Sequence, residues 1–360
     1  MKKILLNHAN IKEIGRNHTI NNILWLALSG SGIAFEYTGK ELNITVLGGY
    51  IATADHDPLN HARIAFYIND VRVINDMVNY KEKTYRVFQS DTVQTVSVKV
   101  LKLSEAAMSV LGIRPLEIGD EETIVPAPKK EHLIEFIGDS ITCGYGVDDE
   151  DPLHPFTTNT EDVTRAYAYK TALALNADYS MCSYSGYGII SGYVAEPTEK
   201  LLSQLVPKYY ESFAFSDDTL GVTPDEFIRP AEVPWDFNRI RPEAIVVNLG
   251  TNDDSYCQNE ASRQEEYAEE YVRFLKTIRK NNPDAELFCV LGLMGDRLFP
   301  YVCKACGTYI IETGDTRVHP LHLPPQDGSI GYVSDYHPLE SAHQKAADYL
   351  APEIKKIMCW

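Results

Sequence analysis

The hydrophobic pattern of this chain changes at residues 125–130, and that change most constrains what it can fold into. Before it, apolar and polar residues alternate in short runs, as in 33–37 and 42–46. A period of two is typical of half-buried β-strands. After it, short apolar runs alternate with segments of helical spacing, which is typical of an α/β domain with a parallel sheet. The sequence therefore predicts two domains of different classes.

We place an all-β domain at residues 1–125, a linker at 126–131 and an α/β domain at 132–360. The boundary reads Val-Pro-Ala-Pro-Lys-Lys from residue 125, and its prolines disfavour both helix and sheet. The many short period-two runs before it, separated by turn signals, indicate a sandwich or jelly roll. A chain of 360 residues also suits two domains, at a usual size of about 150 residues each.

Individual elements follow from the same patterns. In the first domain we predict strands with turns at Gly39–Lys40 and Asn69–Asp70, and separate strands over 84–88 and 92–103. In the second domain we predict strands over 133–137, 244–249 and 287–293. Helices are predicted over 165–175, 263–280 and 343–358, the last interrupted near Pro352.

Charge and composition exclude several classes of partner. The 51 acidic residues exceed the 33 basic ones, and the net charge of −18 disfavours nucleic acid and anionic membranes. No apolar stretch approaches the ~20 residues of a membrane span. The apolar run after the lysines at positions 2 and 3 is too short for a signal peptide. We therefore expect a cytoplasmic protein without a membrane partner, and the charge leaves assembly into a homo-oligomer open.

The cysteines do not indicate a disulfide framework or a metal site. There are seven of them, an odd and low number for this length, which is typical of reduced thiols. The Cys303–Cys306 pair forms a single CxxC, and His319 and His322 add only an HxxH. Without a second pair at the right spacing, zinc is the weaker interpretation. We expect no metal.

Four polar motifs carry the residues that could perform chemistry. Ser140 follows an apolar strand in Gly-Asp-Ser-Ile-Thr, and Asn252 follows another in Asn-Leu-Gly-Thr-Asn-Asp. Gly186 lies in Ser-Gly-Tyr-Gly, and His337 lies in Ser-Asp-Tyr-His-Pro. In a parallel sheet the carboxyl ends of strands line the ligand crevice. A serine there is a candidate nucleophile, an asparagine a candidate oxyanion donor and a histidine a candidate general base.

Each motif taken alone also has a purely structural interpretation. The serine could cap the next helix, and the asparagine could form an Asx turn after its strand. The histidine could lie in a surface turn that ends at Pro338, and the glycines could belong to an ordinary strand-to-loop turn. Asp139 is adjacent to the candidate nucleophile, and we expect its carboxylate to accept backbone N–H bonds around that loop.

In chain order the four motifs resemble the SGNH hydrolases, also called GDSL-like esterases. The resemblance implies that Ser140 is the nucleophile and that His337 is the base. It implies an oxyanion hole formed by Gly186, Asn252 and the backbone N–H of Ser140. It also implies a flavodoxin-like α/β fold with a parallel sheet. No metal or organic cofactor is implied.

The resemblance extends to a narrower group, the family-two carbohydrate esterases. It is carried by the N-terminal β region, by Gly-Asp-Ser-Ile-Thr-Cys-Gly-Tyr-Gly at 138–146, by Glu161 before Ala166-Tyr167, and by Trp235-Asp-Phe. These enzymes join a jelly-roll domain to an SGNH domain and remove acetyl groups from plant polysaccharides. The resemblance therefore implies an acetylated carbohydrate as substrate, such as acetylated xylan or mannan, and an acetyl-enzyme intermediate.

The acid of the catalytic set departs from the general SGNH pattern. The usual acid lies three residues before the histidine, where this chain has Ser334, and Asp335 lies only two before it. Residues two apart do not share a helical face. Asp335 could reach the imidazole from a loop, as the family-two pattern suggests. Alternatively, a backbone carbonyl could orient the imidazole and leave a Ser–His dyad.

Aromatic residues near the motifs are candidates for stacking on a sugar ring. They are Tyr145, Tyr187, Trp235 and Tyr336, although core packing is the commoner role for each such residue. Two other functions stay open from sequence. One is an SGNH esterase or lipase acting on other small esters. The other is a glycan-binding protein whose esterase domain is inactive.

Overall fold

A computed structural model describes residues 1–52 and 60–360. The described residues form two compact units. The first comprises residues 1–130 together with 157–161 and 212–235, and the second comprises 131–156, 162–211 and 236–360.

The first unit is antiparallel β-structure, as its alternating pattern predicts. Its strands are β1 (Lys2–Ile4), β2 (Lys12–Ile14), β3 (Asn17–Ile20), β4 (Ile23–Leu26), β5 (Gly32–Gly48), β6 (Ala62–Ile68), β7 (Val71–Val78), β8 (Glu82–Lys102), β9 (Leu111–Ile113), β10 (Leu116–Ile118) and β11 (Thr123–Pro126). The main sheet runs β3-β4-β9-β5-β8-β6-β7, β2 and β11 also pair with β5, and β1 pairs with β10. The alternate residues that face inward form the core, among them Phe35, Ile44, Phe66 and Val98.

Two predicted turns in this unit have different outcomes. Asn69 and Asp70 do form the tight turn between β6 and β7, and both have positive φ, 49° and 63°. The turn predicted at Gly39–Lys40 is wrong, because β5 continues through it with a shift in register against β8. A Cβ on Gly39 would lie 2.1 Å from the Tyr37 hydroxyl, which instead donates to the Glu41 carbonyl at 2.7 Å. A bulge thus replaces the turn.

The same irregularity explains a second difference from the sequence prediction. The runs at 84–88 and 92–103 are not separate strands, because β8 is one strand of 21 residues. Its residues 90–93 lie opposite the bulge in β5, where the register between Gln89 and Gln94 skips. Polar residues around the bulge interrupt the alternation, and the sequence alone presents that interruption as a turn.

The second unit is an α/β domain around a parallel sheet. Its strands are β12 (Leu133–Gly138), β13 (Asp178–Ser183), β14 (Ala244–Asn248), β15 (Glu286–Leu291) and β16 (Val318–His322). Its helices are α1 (Ser140–Cys143), α2 (Tyr167–Ala174), α3 (Val206–Tyr209), α4 (Thr251–Cys257), α5 (Ala261–Asn281), α6 (Phe299–Thr313) and α7 (Glu340–Met358). The strand order is β13-β12-β14-β15-β16, and every pair is parallel.

The predicted strands and helices of this unit are present, with one exception in detail. The break predicted near Pro352 is wrong, since α7 runs without interruption from Glu340 to Met358. Pro352 is exposed, so its ring lies on the outer face of the helix. The missing proline N–H removes one hydrogen bond of the helix ladder without ending it.

The division between the units differs from the predicted 1–125, 126–131 and 132–360. The first boundary falls at 130/131, but segments 157–161 and 212–235 of the later chain pack with the first unit. The Arg16 guanidinium lies 5.3 Å from the centre of the Trp235 ring and donates to the Ser212 carbonyl. The Glu161 carboxylate accepts the Glu105 N–H at 2.7 Å. These partners are distant in sequence, and no local pattern indicates them.

Within residues 1–52 and 60–360, no helix is both long enough and apolar enough to cross a lipid bilayer.

Candidate active site

The candidate site lies at the carboxyl edge of the parallel sheet. In the register of the sheet, Gly138 at the end of β12 pairs with Ser183 of β13 and Asn248 of β14. Ser140, Gly186 and Asn252 each follow one of these three strand ends by a few residues. Adjacent parallel strands end at the same edge, so three of the four motifs meet there.

Ser140 begins the short helix α1 directly after β12, and only 4% of it is exposed. Asp139 is the N-cap, and its carboxylate accepts the N–H of Ile141 at 3.0 Å, as expected from the sequence. Complete burial, with the nearby charge of Asp253, raises the pKa of Asp139 to about 7. The turn from strand to helix therefore presents the serine hydroxyl at the sheet edge.

His337 faces the serine from the loop before α7. Its Nε2 lies 2.8 Å from the Ser140 Oγ, and its Nδ1 lies 3.2 Å from the backbone carbonyl oxygen of Asp335. With the proton on Nδ1 donated to that carbonyl, Nε2 is left to accept the hydroxyl proton. Removal of water from the imidazole lowers the pKa of His337 to about 4, against the opposing effect of Asp335.

The Asp335 carboxylate does not contact the imidazole, so its predicted position as the third member of a triad is wrong. Its Oδ2 accepts the Tyr145 hydroxyl at 2.6 Å and the Phe156 N–H at 3.2 Å. The backbone of Asp335 has φ 50° and ψ 37°, the left-handed conformation. This conformation directs the carbonyl toward His337 and the side chain toward Tyr145. The geometry is that of the Ser–His dyad with a carbonyl orienter, which the sequence left open.

The side chain of Asn252 connects the loops that carry the other two predicted oxyanion donors. The Asn252 Nδ2 donates to the Tyr187 carbonyl at 2.9 Å and lies 3.4 Å from Asp139 Oδ2. Asn252 thus bridges the neighbours of Gly186 and Ser140. Within the part of the chain that the structure describes, the N–H groups of Gly186 and Ser140 donate to no protein acceptor. Gly186 has φ +81°, a conformation that glycine adopts at little cost.

Asp253 supports this arrangement, and sequence reasoning assigned it no role. Its buried carboxylate accepts the N–H groups of Ile189, Ile190 and Ser191 at 2.7 to 3.2 Å. Burial raises its pKa to about 6, although those N–H bonds favour the charged form. Asp253 therefore ties the loop that carries Gly186 to the start of α4. An acidic residue directly after Asn252 was the signal in the sequence.

The four aromatic candidates lie in different surroundings. Tyr336 is 53% exposed, and its ring contacts that of Tyr332. Tyr187 is buried against Tyr184. Trp235 is a buried residue of the first unit. Tyr187 and Trp235 are only 4% and 8% exposed, which favours the core-packing alternative over stacking on a sugar.

Tyr145 has no free ring face. Its ring stacks on the His337 imidazole on one side, with centroids 3.9 Å apart, and on Phe156 on the other, at 4.1 Å. A ring covered on both faces cannot also stack on a sugar. Sequence reasoning did not consider Phe156, and nothing in its local sequence marks it.

The cysteines and the two histidines of the HxxH motif do not form a group that could bind a metal ion within the described residues. Six of the seven cysteines are buried or partly buried. His319 pairs with Glu286, while His322 pairs with Asp296. Residues 1–52 and 60–360 contain no group of three or more His, Cys, Asp or Glu side chains that could hold a metal ion.

Two regions of the chain match known protein families. Residues 136–345 match the GDSL-like lipase/acylhydrolase family. The chain belongs to this family. Residues 13–128 match the carbohydrate esterase 2 N-terminal region, so the two matches together confirm the resemblance seen in the motifs. They also agree with the predicted order of an antiparallel β domain before an α/β domain.

The names of similar proteins describe esterases, several of them acting on carbohydrates. The chain is 28% identical over 345 residues to Cellulase/esterase CelE of Acetivibrio thermocellus, a match that covers 93% of this chain but only 38% of that protein. It is 25% identical to an acetylxylan esterase / glucomannan deacetylase of Cellvibrio japonicus, over 99% of this chain and 91% of the relative. A solved family two carbohydrate esterase from Clostridium thermocellum in complex with cellohexaose has a TM-score of 0.81, 27% identity, and 97% and 99% coverage.

Proposed function

We propose that this protein is a serine esterase that removes O-acetyl groups from plant-type polysaccharides or oligosaccharides such as xylan and mannan. The observation that carries the proposal is the 2.8 Å contact between Ser140 Oγ and His337 Nε2 at the sheet edge. A relative named acetylxylan esterase / glucomannan deacetylase and a relative named cellulase/esterase support the substrate class. The net charge of −18 suits a neutral sugar better than an anionic lipid.

The reaction begins when the acetyl carbonyl carbon is attacked by Ser140 Oγ. His337 Nε2 takes the hydroxyl proton, and the carbonyl oxygen becomes an oxyanion. The N–H groups of Ser140 and Gly186 donate to that oxyanion. Asn252 Nδ2 also donates to it, with the hydrogen that otherwise makes the long 3.4 Å contact to Asp139. Loss of one such donor typically lowers kcat by a factor of roughly 10² to 10³.

Collapse of this intermediate breaks the bond between the acetyl carbon and the sugar oxygen. The sugar leaves with the proton held on His337, and an acetyl ester remains on Ser140. Water then attacks that ester, His337 takes the proton of the water, and acetate leaves as Ser140 recovers its proton. The imidazolium that forms in each half is stabilised by the Asp335 carbonyl at Nδ1.

The proposal is tested by acetate release from acetylated xylan, acetylated xylo-oligosaccharides and acetylated glucomannan. We expect Ser140→Ala to lower turnover by roughly 10³-fold or more with the fold unchanged, because the nucleophile and its base act as a unit. Ser329→Ala, which removes an exposed serine hydroxyl, is the matched control and should behave as wild type. EDTA should leave release unchanged.

Three results would contradict the proposal in different ways. Substantial activity in Ser140→Ala would remove the serine mechanism. Hydrolysis of aryl or lipid esters but of no acetylated sugar would assign another esterase function. Binding of cello- or xylo-oligosaccharides without acetate release would assign a glycan-binding role, an outcome that the cellohexaose complex of the Clostridium thermocellum enzyme makes worth measuring.

A further inference from the structure

The general base of this site is oriented with little direct hydrogen bonding. One hydrogen bond, from Nδ1 to the Asp335 carbonyl, orients the imidazole on the side away from Ser140. A single bond of this kind fixes the tautomer but leaves the ring free to tilt about the bond axis. A triad carboxylate is absent from that side, because the carboxylate of Asp335 is directed elsewhere.

The ring of Tyr145 restrains the tilt of the imidazole, which the hydrogen bond leaves free. Its ring is nearly parallel to the imidazole, at 22° with centroids 3.9 Å apart, and Phe156 covers its other face at 19° and 4.1 Å. The three rings form a stack in which Tyr145 is the middle member. Stacked rings of this geometry resist tilting of one against the other.

The Tyr145 hydroxyl also contacts the side chain of the residue that carries the orienting carbonyl. It donates to Asp335 Oδ2 at 2.6 Å, and the Phe156 N–H donates to the same oxygen at 3.2 Å. Asp335 has the left-handed backbone conformation, φ 50°, which non-glycine residues rarely adopt unless neighbouring contacts hold them in it. The carboxylate therefore anchors the turn, and the anchored turn presents its carbonyl to His337.

We propose that Tyr145 is a positioning residue for the general base, acting with its ring on the imidazole and with its hydroxyl, through the Asp335 carboxylate, on the carbonyl that orients Nδ1. This inference rests on the proposed serine esterase function. It assigns Asp335 an indirect role, and it replaces the sugar-stacking role first expected for Tyr145.

The test separates the effect of the Tyr145 ring from the effect of its hydroxyl. Tyr145→Phe keeps the ring and removes the hydroxyl, Asp335→Asn weakens the acceptor, and Tyr145→Leu removes the stack. The substrate is 4-nitrophenyl acetate, which has no sugar, so loss of a sugar contact cannot lower its turnover. A second readout is the rate at which a fluorophosphonate modifies Ser140, which needs His337 as base but no turnover.

We expect Tyr145→Phe and Asp335→Asn each to lower kcat and the modification rate roughly three- to tenfold, with KM little changed. The double variant should be no worse than either single one, because both changes break one anchor, and residues that act through one contact are not additive. Tyr145→Leu should lose roughly 30- to 100-fold. Near-UV circular dichroism and thermal melting show whether each variant is folded, and Tyr145→Phe keeps the test valid if Tyr145→Leu is not.

A pH profile distinguishes anchoring from a direct electrostatic effect of the carboxylate. The ionisable side chains that contact or act on His337 are Ser140, Tyr145, Asp335 and His343. If Asp335 acts only as an anchor, the acid limb of kcat/KM stays in place in Asp335→Asn. If Asp335→Asn instead shifts the acid limb to lower pH, and the same shift occurs when Tyr145→Phe is also present, then the Asp335 carboxylate acts directly on the charge of the imidazole.

Several results would overturn the proposal. These are additive losses in the double variant, wild-type kcat and modification rate in Tyr145→Leu, or an effect confined to KM on acetylated sugars. Failure of the proposed function looks different. In that case wild type would hydrolyse 4-nitrophenyl acetate but no acetylated sugar, and the Tyr145 effects would remain. A wild-type Ser140 that resists the fluorophosphonate would overturn both.

Discussion

At the scale of single residues, the direction of one side chain decides the chemistry of the site. Asp335 lies two positions before His337, close enough in sequence to be an acid partner. Its left-handed backbone turns the carbonyl toward Nδ1 and the carboxylate toward Tyr145. The base therefore works with a neutral orienting group and with limited access to water. Desolvation favours the neutral imidazole, and it outweighs the hydrogen bond to the Asp335 carbonyl, which favours the charged form.

The pH dependence of activity follows from this environment. Only a neutral His337 can accept the serine proton, so kcat/KM falls as pH drops through its pKa in the free enzyme. Because desolvation lowers that pKa to about 4, the acid limb should lie closer to 4 than to the ordinary 6.5. The measurement is kcat/KM on 4-nitrophenyl acetate from pH 3.5 to 8, with circular dichroism at each pH. An acid limb near 6.5 in a folded protein would contradict it.

At the scale of elements, contacts between two turns fix the position of the base relative to the nucleophile. The segment after α1 packs against the turn before α7, since Ser334 donates its N–H to the Asp149 carbonyl at 3.0 Å. Gly146 lies in this contact with φ +61°, and a Cβ there would be 2.7 Å from the Ser334 Cβ. The position of His337 thus depends on the absence of a side chain at Gly146.

Gly146→Ala should therefore displace the turn that carries His337. We expect kcat to fall about tenfold or more, with a stability loss of about 1–3 kcal/mol from the positive φ. Gly314→Ala is the matched control, because Gly314 also has positive φ, +72°, but has open space around its Cβ position. It should lose similar stability and keep wild-type kcat. Equal kcat in the two variants, measured beside their melting temperatures, would contradict a role for the Gly146 contact.

At the scale of the whole molecule, each compact unit is built from several separate segments of the chain. Segment 212–235 supplies Asp218, whose buried carboxylate accepts the N–H groups of Ile51 and Val110 at 3.1 and 3.2 Å. Segment 157–161 supplies Thr158, whose hydroxyl donates to the His61 carbonyl at 2.6 Å. The first unit therefore needs residues from the later chain to satisfy its buried polar groups.

A chain of residues 131–360 should consequently fold poorly by itself. Its segments 157–161 and 212–235 would lose the partners that the first unit provides and would expose Trp235 and the Asp218 carboxylate. We expect low solubility and a broad thermal transition, measured by light scattering and calorimetry. The control is the full chain cut at a protease site placed within 126–131, whose two fragments should stay together on gel filtration. A cooperative, active 131–360 would contradict the prediction.

The sequence by itself determined the parts of this protein that depend on local pattern. Alternation with a period of two indicated the β region, and apolar runs alternating with helical spacing indicated the parallel sheet. The motifs at Ser140, Gly186 and Asn252 each follow a strand, and the ends of adjacent parallel strands must meet. Their convergence could therefore be predicted from the sequence, as could the pairing of Ser140 with His337 from the family resemblance.

Only the tertiary structure decided what depends on contacts between distant residues or on one backbone angle. Examples are the bulge at Gly39, the packing of 212–235 with the first unit, and the stack of Phe156, Tyr145 and His337. The choice between a triad and a dyad depended on the φ of Asp335, which contacts to Tyr145 and Phe156 stabilise. Local sequence carries no signal for such contacts, because partners such as Tyr145 and Asp335 lie 190 residues apart and are brought together only by the fold.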